Sequence, residues 1–279
     1  MRYAHCHEDR RRARRAWQRS LESHARAGAG RWSRSDSRAR GGPEISRQLA
    51  EAGIDLPFVD GLRVTTEAAM PVVLRALQHC NAQLYHQLDP TGDVIVPFTD
   101  GTTVQAQFCG RDRVGEVNDV VTQPLVEQLQ KHRVPLLPPY GVDATGQFYN
   151  LNADTTAAHV AKAVNADKLL LCTNVAGVFA DFSLGVQLYD VTREDLERHL
   201  AESAFSAGMI PKVNAMLFAA SRGVKEVWVV DGGDPDSLSF ALLHEAAPFD
   251  PARTSHGTRL TTRTRVAGAS RVASKSELN

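Results

Sequence analysis

The stretch Tyr140-Gly-Val-Asp-Ala-Thr-Gly-Gln-Phe-Tyr-Asn-Leu-Asn-Ala-Asp154-Thr-Thr-Ala-Ala-His-Val-Ala-Lys-Ala-Val-Asn-Ala-Asp-Lys-Leu-Leu-Leu-Cys-Thr-Asn-Val-Ala-Gly177 decides how this chain folds. It reads as strand, turn, strand, helix, strand and loop. Gly141 and Gly146 bracket a turn whose tight backbone Asp143 and Thr145 suit. Asn152 stands where a helix N-cap would, and Ala157, Val160, Ala161 and Val164 recur at helical spacing along one face. Lys168 to Cys172 is short and apolar enough to be a fully buried parallel strand. The expected product is a β-α-β crossover that gathers Asn150, Asn152 and Asp154 near a strand end, the edge at which open α/β sheets bind ligands.

Upstream, Gly41-Gly42-Pro43-Glu44 opens a helix with Ile45, Leu49 and Ala52 on one face and Gly53 as its stop. Free N–H groups at a Gly-Gly turn can hold a carboxylate or phosphate, but alone this signal is weak and an ordinary helix start is the preferred reading. Phe58 to Thr65 reads as a turn and short strand with Arg63 in its middle, either a surface ion pair or a guanidinium fork for a carboxylate. An amphipathic helix follows Thr66, with Met70, Val73, Leu74, Leu77 and Leu84 inward. Residues 92–120 alternate in strand fashion around Asp100-Gly101, which predicts a hairpin there, a lid or an edge. Val134 to Leu137 is an apolar run closed by Pro138-Pro139.

Downstream, Thr192-Arg-Glu-Asp195 has the form of a capping box and opens a helix through Ala201. Gly208-Met-Ile-Pro-Lys212 leads into a helix with Val213, Met216, Leu217 and Ala220 on one face, ending near Gly223. Val227 to Val230 is a buried strand ending in Asp231-Gly-Gly, and Leu238 to His244 is the last helix. Helices alternating with apolar strands imply a mostly parallel sheet covered on both faces.

With 279 residues and 43% apolar side chains, the chain can form one large α/β domain or two lobes. Cys6, Cys80, Cys109 and Cys172 are widely spaced, so neither a zinc knuckle nor a disulfide framework is expected, and a reducing cytoplasm fits. No run approaches the roughly 20 apolar residues of a membrane span, and no apolar h-region marks a signal peptide, so neither membrane association nor secretion is expected. The net charge of zero hides an asymmetry: residues 1–40 carry twelve Arg against four acids, whereas residues 41–258 carry 15 basic and 27 acidic side chains. Residues 1–40 hold one Leu and no Val, Ile or Phe, so they are expected to be a disordered Arg-rich tail, with 263–279 a basic C-terminal tail. The Arg cluster could serve as a nucleic-acid-binding arm; a solvated extension is preferred, because the acidic body would repel phosphates. The ten histidines show no metal-ligand spacing, and G-x-x-x-x-G-K-S/T, G-x-G-x-x-G and G-x-S-x-G are all absent.

In order along the chain, Gly41-Gly-Pro-Glu-Ile, Phe58-Val-Asp-Gly-Leu-Arg-Val-Thr, Val114-Gly-Glu-Val, Tyr149-Asn-Leu-Asn-Ala-Asp and Gly208-Met-Ile-Pro-Lys-Val resemble acetylglutamate kinases, members of the amino acid kinase family. The resemblance runs from about Gly41 to Thr262. It implies a three-layer αβα sandwich with a mainly parallel sheet, an acyl-amino-acid lobe over about 41–150 and an ATP lobe over about 151–262. It also implies transfer of the ATP γ-phosphoryl group, with Mg2+, to the side-chain carboxylate of N-acetyl-L-glutamate in arginine biosynthesis. By position, Gly41, Gly42, Arg63 and Asn150 match substrate contacts, Asp154 the aspartate that orders catalytic lysines, and Lys212 the lysine that stabilises the transferring group. Thr173, Asn174, Val175, Gly177, Val178 and Phe179 match the nucleotide loop, with Ala204, Phe205, Ser206 and Gly208 nearby. A homo-oligomer and arginine as a feedback inhibitor are implied in the same way. Phosphoryl transfer calls for positioned cations rather than a covalent nucleophile, which fits these residue types.

Three departures stand out. Family members begin with a K-x-G-G strand, yet residues 1–40 contain no lysine, so one catalytic cation and the N-terminal strands of the sheet are expected to be missing and the activity impaired. The Arg/Ala/Ser/Gly texture of that segment is what a shifted reading frame in a GC-rich gene, or a misplaced start, produces. Asn174 stands where kinases of the family usually have Asp, and the 92–110 segment matches poorly, which bears on substrate identity. Two further readings remain open: a catalytically silent kinase-like module that senses arginine or pairs with a partner, and a kinase for another N-blocked amino acid.

Overall fold

The computed structural model describes residues 41–59, 62–243 and 256–262, and the backbone of 272–273. The expectations for the two tails therefore fall outside the described residues.

Two apolar six-residue strands alternate with helices in the second half of the chain, and the tertiary structure uses them to build layers. Strand β13 (Glu226–Asp231) runs parallel to β9 (Lys168–Thr173), with Val227 opposite Leu169 and Val229 opposite Leu171. Side chains on successive residues of a strand point to opposite faces. Accordingly Val227 and Val229 pack with Val213, Met216 and Ala219 of α6 (Ile210–Ser221), whereas Trp228 and Val230 pack with Ala241 of α7 (Pro235–Leu243). This alternation is the three-layer αβα sandwich in miniature. Strand β14 (Thr258–Thr261) joins β13 antiparallel on the other edge, and β12 (Asp190–Val191) runs parallel to β14. The buried pair Arg259–Asp190, at 3.1 Å through two nitrogen–oxygen contacts, sits at that register.

The first half is built from shorter pieces. Helix α1 (Gly41–Glu51) packs on α2 (Met70–Leu88), burying Ile45, Leu49, Val73 and Leu77 together with Tyr140. Gly41 and Gly42 lie within the first turn of α1 rather than in a turn before it, and Ala52 lies beyond its end, where Gly53 at φ 69° reverses the chain. Strands β1 (Phe58–Val59) and β2 (Leu62–Arg63) form a small antiparallel hairpin. Strand β3 (Ile95–Pro97) pairs in parallel with β6 (Val134–Leu136). The expected hairpin around Asp100-Gly101 is corrected: the hairpin is β4 (Val104–Arg111) with β5 (Val114–Val120), and it turns at Asp112, whose φ is 41°. Asp100-Gly101 is a turn, in which the Asp100 carboxylate accepts from Thr102 N–H at 2.9 Å, but it leads from β3 into β4 instead of folding one on the other.

Strands β4 and β5 close with β7 (Tyr140–Val142) and β8 (Phe148–Asn150) into a small four-stranded barrel. Val104 carbonyl approaches Gly141 so closely that a Cβ has no room there. Helix α4 (Ala153–Ala163) then connects the barrel to β9. The expected β-α-β crossover is thus corrected: β8 and β9 belong to different sheets, because three-residue β8 finds its partners in β7 and β5 and six-residue β9 finds its partner in β13. The helix consequently buries two sides. Ala157, Ala158 and Ala161 join the core under β9 and α6, while Val160, Ala163 and Val164 pack against the barrel with Leu125 of α3 (Thr122–Gln130) and Leu151.

Strand β10 (Val178–Asp181) pairs with β11 (Val186–Leu188), which is joined in turn by β15 (Val272–Ala273). Helix α5 (Arg193–Ala201) starts with the expected reciprocal capping box between Thr192 and Asp195. The last helix starts at Pro235, three residues before Leu238. Among the described residues no helix is long and apolar enough to cross a membrane.

The β7–β8 turn depends on Asp143. One carboxylate oxygen accepts from the Thr145 hydroxyl at 2.7 Å and from the Thr145 and Gln147 N–H groups at 2.8 and 3.0 Å, and the other accepts from Tyr149 Oη at 3.2 Å. These donors, the Thr145 hydroxyl first, hold the Asp143 pKa down at about 2. The unfolded carboxyl titrates near about 3.9. The group therefore stabilises the fold fully above about pH 4, and that contribution is lost as pH falls toward 2. Asp143→Asn should flatten this part of the acid-unfolding limb, followed by circular dichroism between about pH 4 and 2.

Candidate functional site

Where α1, the β1–β2 hairpin, the middle of α2 and the β8–α4 junction meet, they enclose a cavity of about 370 Å3. Its walls are mainly apolar, from Ile45, Leu77, Leu84 and the Leu136-Leu-Pro-Pro139 run. Gly41, Gly42, Arg63 and Asn150 all line it, so residues from three separate segments converge. Among the described residues no Asp or Glu lines the cavity, and Arg63 is the one charged side chain that does.

Arg63 is held in place from three sides. Its guanidinium donates to Ser46 Oγ at 2.7 Å, reaches the Gly42 carbonyl at 3.5 Å and lies over the Phe58 ring at 4.4 Å. Burial alone pulls its pKa down, and among the described residues no carboxylate pairs with it. A desolvated guanidinium facing an apolar space without a counter-ion is a strong recognition point for a carboxylate. Asn150 donates its side-chain amide to Thr65 Oγ1 at 3.0 Å, which fixes the plane of the group at the far wall. Asn152 also lines the cavity and caps α4 as the sequence implied, accepting from Thr155 N–H at 3.0 Å. Asn81, on the inner side of α2, was missed. It is buried, faces the same space and makes no side-chain hydrogen bond among the described residues. An asparagine on the buried face of an otherwise apolar helix stripe was the signal available in the sequence.

Just beyond the cavity rim, past Ala153, stands Asp154 in the first turn of α4. Lys212, in the first turn of α6, donates from Nζ to both carboxylate oxygens, at 2.8 and 2.9 Å. Both side chains are largely covered, with 20% and 13% of their surfaces exposed. Cys172, at the end of β9, lies within electrostatic reach of Lys212, Asp154 and Asp231, although desolvation is the main effect that pushes its thiol pKa up. The ends of β9 and β13 therefore converge on the Lys212–Asp154 pair.

The 173–179 loop leaves β9 on that side. Thr173 and Asn174 side chains meet at 3.4 Å, Asn174 is exposed and Val175 half-buried. Gly177 is sealed under Thr258 and Gln187, whose side-chain atoms a Cβ would meet at 2.6 and 2.7 Å. Val178 is fully buried, with its N–H donating to Thr258 Oγ1 at 2.8 Å, and Phe205 is likewise in the core. These two can offer a ligand only backbone groups. Phe179 is half-buried, its ring edge-on to Phe182 at 5.2 Å. Ala204 is half-buried, and Ser206 and Gly208 are exposed on the approach to α6. Among the described residues no group of three or more His, Cys, Asp or Glu is placed to hold a metal ion.

The model of the amino acid kinase family matches residues 40–231. The chain is 36% identical over 213 residues to the acetylglutamate kinase of Synechococcus sp. strain JA-2-3B'a(2-13), covering 74% of this chain and 68% of that one. This chain belongs to the amino acid kinase family. Its similarity to the acetylglutamate kinase of Geobacillus kaustophilus is 38% over 198 residues, 69% of this chain and 76% of the relative. Among solved structures, smu.665 from Streptococcus mutans superposes with a TM-score of 0.63 at 26% identity, covering 80% of this chain and 83% of that one. Membership of this kinase family makes ATP the expected nucleotide, and the mixed layers built on β9 and β13 are the amino acid kinase fold.

Thr258 ties this family's loop to the sheet: its buried hydroxyl accepts from Val178 N–H and donates to the Leu188 carbonyl in a short bond. Thr258→Val would orphan both groups and should destabilise the fold by about 1–3 kcal/mol, read as a lower urea midpoint at unchanged slope.

Proposed function

We propose that this chain phosphorylates the side-chain carboxylate of N-acetyl-L-glutamate with ATP, the reaction that its acetylglutamate kinase relatives are named for. The observation that carries the reading is a cavity whose one charged side chain among the described residues is Arg63, and whose lining residue Ala153 directly precedes Asp154 of the lysine–aspartate pair. Arg63 binds the α-carboxylate, and the Gly41-Gly42 turn of α1, Asn150 and Asn81 hold the rest of the acyl amino acid. A side-chain carboxylate oxygen attacks the γ-phosphorus, the bond to the β-γ bridging oxygen breaks, and ADP leaves. Lys212 spreads the charge that builds on the transferring group, and Asp154 aims its ammonium.

The nucleotide is assigned to Thr173, Asn174, Val175, Gly177, Val178 and Phe179, with Ala204, Phe205, Ser206 and Gly208 flanking it. Mg2+ usually binds through substrate phosphates and one or two carboxylates. Such an ion would arrive on ATP and neutralise phosphate charge. We assign residues 41–150 to the acyl-amino-acid lobe and 151–262 to the ATP lobe. The separate cores around Leu49 and Val213 support this, although the core around Leu125 draws on both sides of residue 150. A cytoplasmic homo-oligomer with arginine as inhibitor completes the proposal, on the example of the family.

The test is ATP with N-acetylglutamate, trapping the acyl phosphate as its hydroxamate while following ADP. Arginine binding without turnover would overturn the proposal in favour of a silent sensor, and turnover confined to another N-acyl amino acid would reassign the substrate. Lys212→Met should lower kcat by about 10²–10³-fold with little change in KM. Arg63→Ala should instead weaken N-acetylglutamate binding by about 10–100-fold, measured by calorimetry, with ATP affinity unchanged.

A further inference from the structure

Away from the cavity and the lysine–aspartate pair, the opposite end of the α4–α6 contact frames a second concavity of about 220 Å3. Asn118 and Asp119 of β5 form one wall, His159 and Lys162 of α4 and Arg222 at the end of α6 the other. The basic wall is ordered by stacking. The His159 ring lies on Phe218 with centroids 4.2 Å apart at 15°, and the Arg222 guanidinium stands 5.6 Å from the centre of the same ring.

The charges on that wall lack compensation. Among the described residues neither Lys162 nor Arg222 makes an ion pair, and both are close enough to His159 to act on it alongside desolvation, which is the larger effect holding the imidazole neutral. Lys162 and Arg222 face a single carboxylate across the hollow, Asp119, so the lining carries a net positive charge that favours entry of an anion. The Asp119 side chain also makes no ion pair or hydrogen bond among the described residues. An anion taken up by Lys162, Arg222, the imidazole N–H and the Asn118 amide would therefore face one acceptor-only carboxylate, which is tolerable only when the ligand donates a proton to it.

We propose that this hollow is a binding site for a proton-bearing oxyanion of the phosphate class, either inorganic phosphate or a small phosphomonoester, bridging the far ends of α4 and α6. Lys162 and Arg222 supply the charge, and Asp119 accepts the ligand O–H. Sulfate has the same size and shape but no proton near neutral pH, so Asp119 repels it. The site is separate from the chemistry assigned above and stands whether or not that assignment does. Its occupant braces the two helices whose first turns carry Asp154 and Lys212.

The experiment titrates chain 1–279 at about pH 6.5 and fixed ionic strength with sodium phosphate, glycerol 3-phosphate and sodium sulfate, by calorimetry and by thermal midpoint. Saturable binding of phosphate or the monoester is expected, at least about tenfold tighter than that of sulfate. Binding should fall about tenfold or more in Lys162→Gln/Arg222→Gln, two exposed positions, and persist in Lys212→Met, whose change lies at the other site. Asp119→Asn should abolish the preference for phosphate over sulfate while the chain stays folded. Absence of saturable binding, equal affinity for sulfate in the unaltered chain, or binding lost on Lys212→Met and kept in the double variant would each overturn the proposal.

Discussion

The contact between Lys212 and Asp154 organises this molecule. A single ammonium donates to both oxygens of one carboxylate, and each partner opens a different helix. The pair is mostly covered, so each charge has lost much of its hydration and depends on the other; removing one partner from such a pair commonly costs about 3–5 kcal/mol when burial is complete. Asp154 also sits favourably at the positive end of α4, whereas Lys212 at the start of α6 does not. A cation held against a helix N-terminus needs a compensating anion, and Asp154 provides it. That arrangement makes sense in a site that must place a positive charge where phosphate charge develops.

The sheet exists to bring these two helix ends together. Strand β13 presents Val227 and Val229 to α6 and Trp228 and Val230 to α7, so the helix carrying Lys212 is seated by apolar packing against a strand buried on both faces. Helix α4 is small-residue on the α6 side, with Ala157, Ala158 and Ala161, which lets the two helices approach closely enough for the pair to form. The 173–179 loop is then fixed by a polar device within the apolar layer: the Thr258 hydroxyl satisfies Val178 N–H, and Gly177 leaves room for it. Arg259 and Asp190, paired next to Thr258, hold β14 against β12 and keep that hydroxyl in position.

Local chemistry was legible wherever it was self-contained. The Asn152 cap, the Thr192–Asp195 box and the Asp143 turn are all interactions between residues two to four apart, and each appears where residue type and spacing placed it. Asp100-Gly101 was also a real turn, but which strands it connects was settled elsewhere. Ile95 pairs with Val134, nearly forty residues away, and so β3 is not available as a hairpin partner for β4. The single face assigned to α4 failed for the same reason, since Val160 and Val164 face a barrel whose closure depends on β5 and β8.

By itself, the sequence determined the alternation of helices and strands, the caps and turns, and, through motifs resembling acetylglutamate kinases, the family and the residues worth following. Tertiary structure alone decided that Gly42, Arg63, Asn81 and Asn150 share one cavity, that β8 and β9 part into different sheets, and that Val178 and Phe205 are core rather than surface. The physical reason is range. Hydrogen bonds within a turn are set by the residues that make it, whereas burial, strand partnership and the meeting of Lys212 with Asp154, 58 residues apart, follow from how all the apolar surfaces are covered at once.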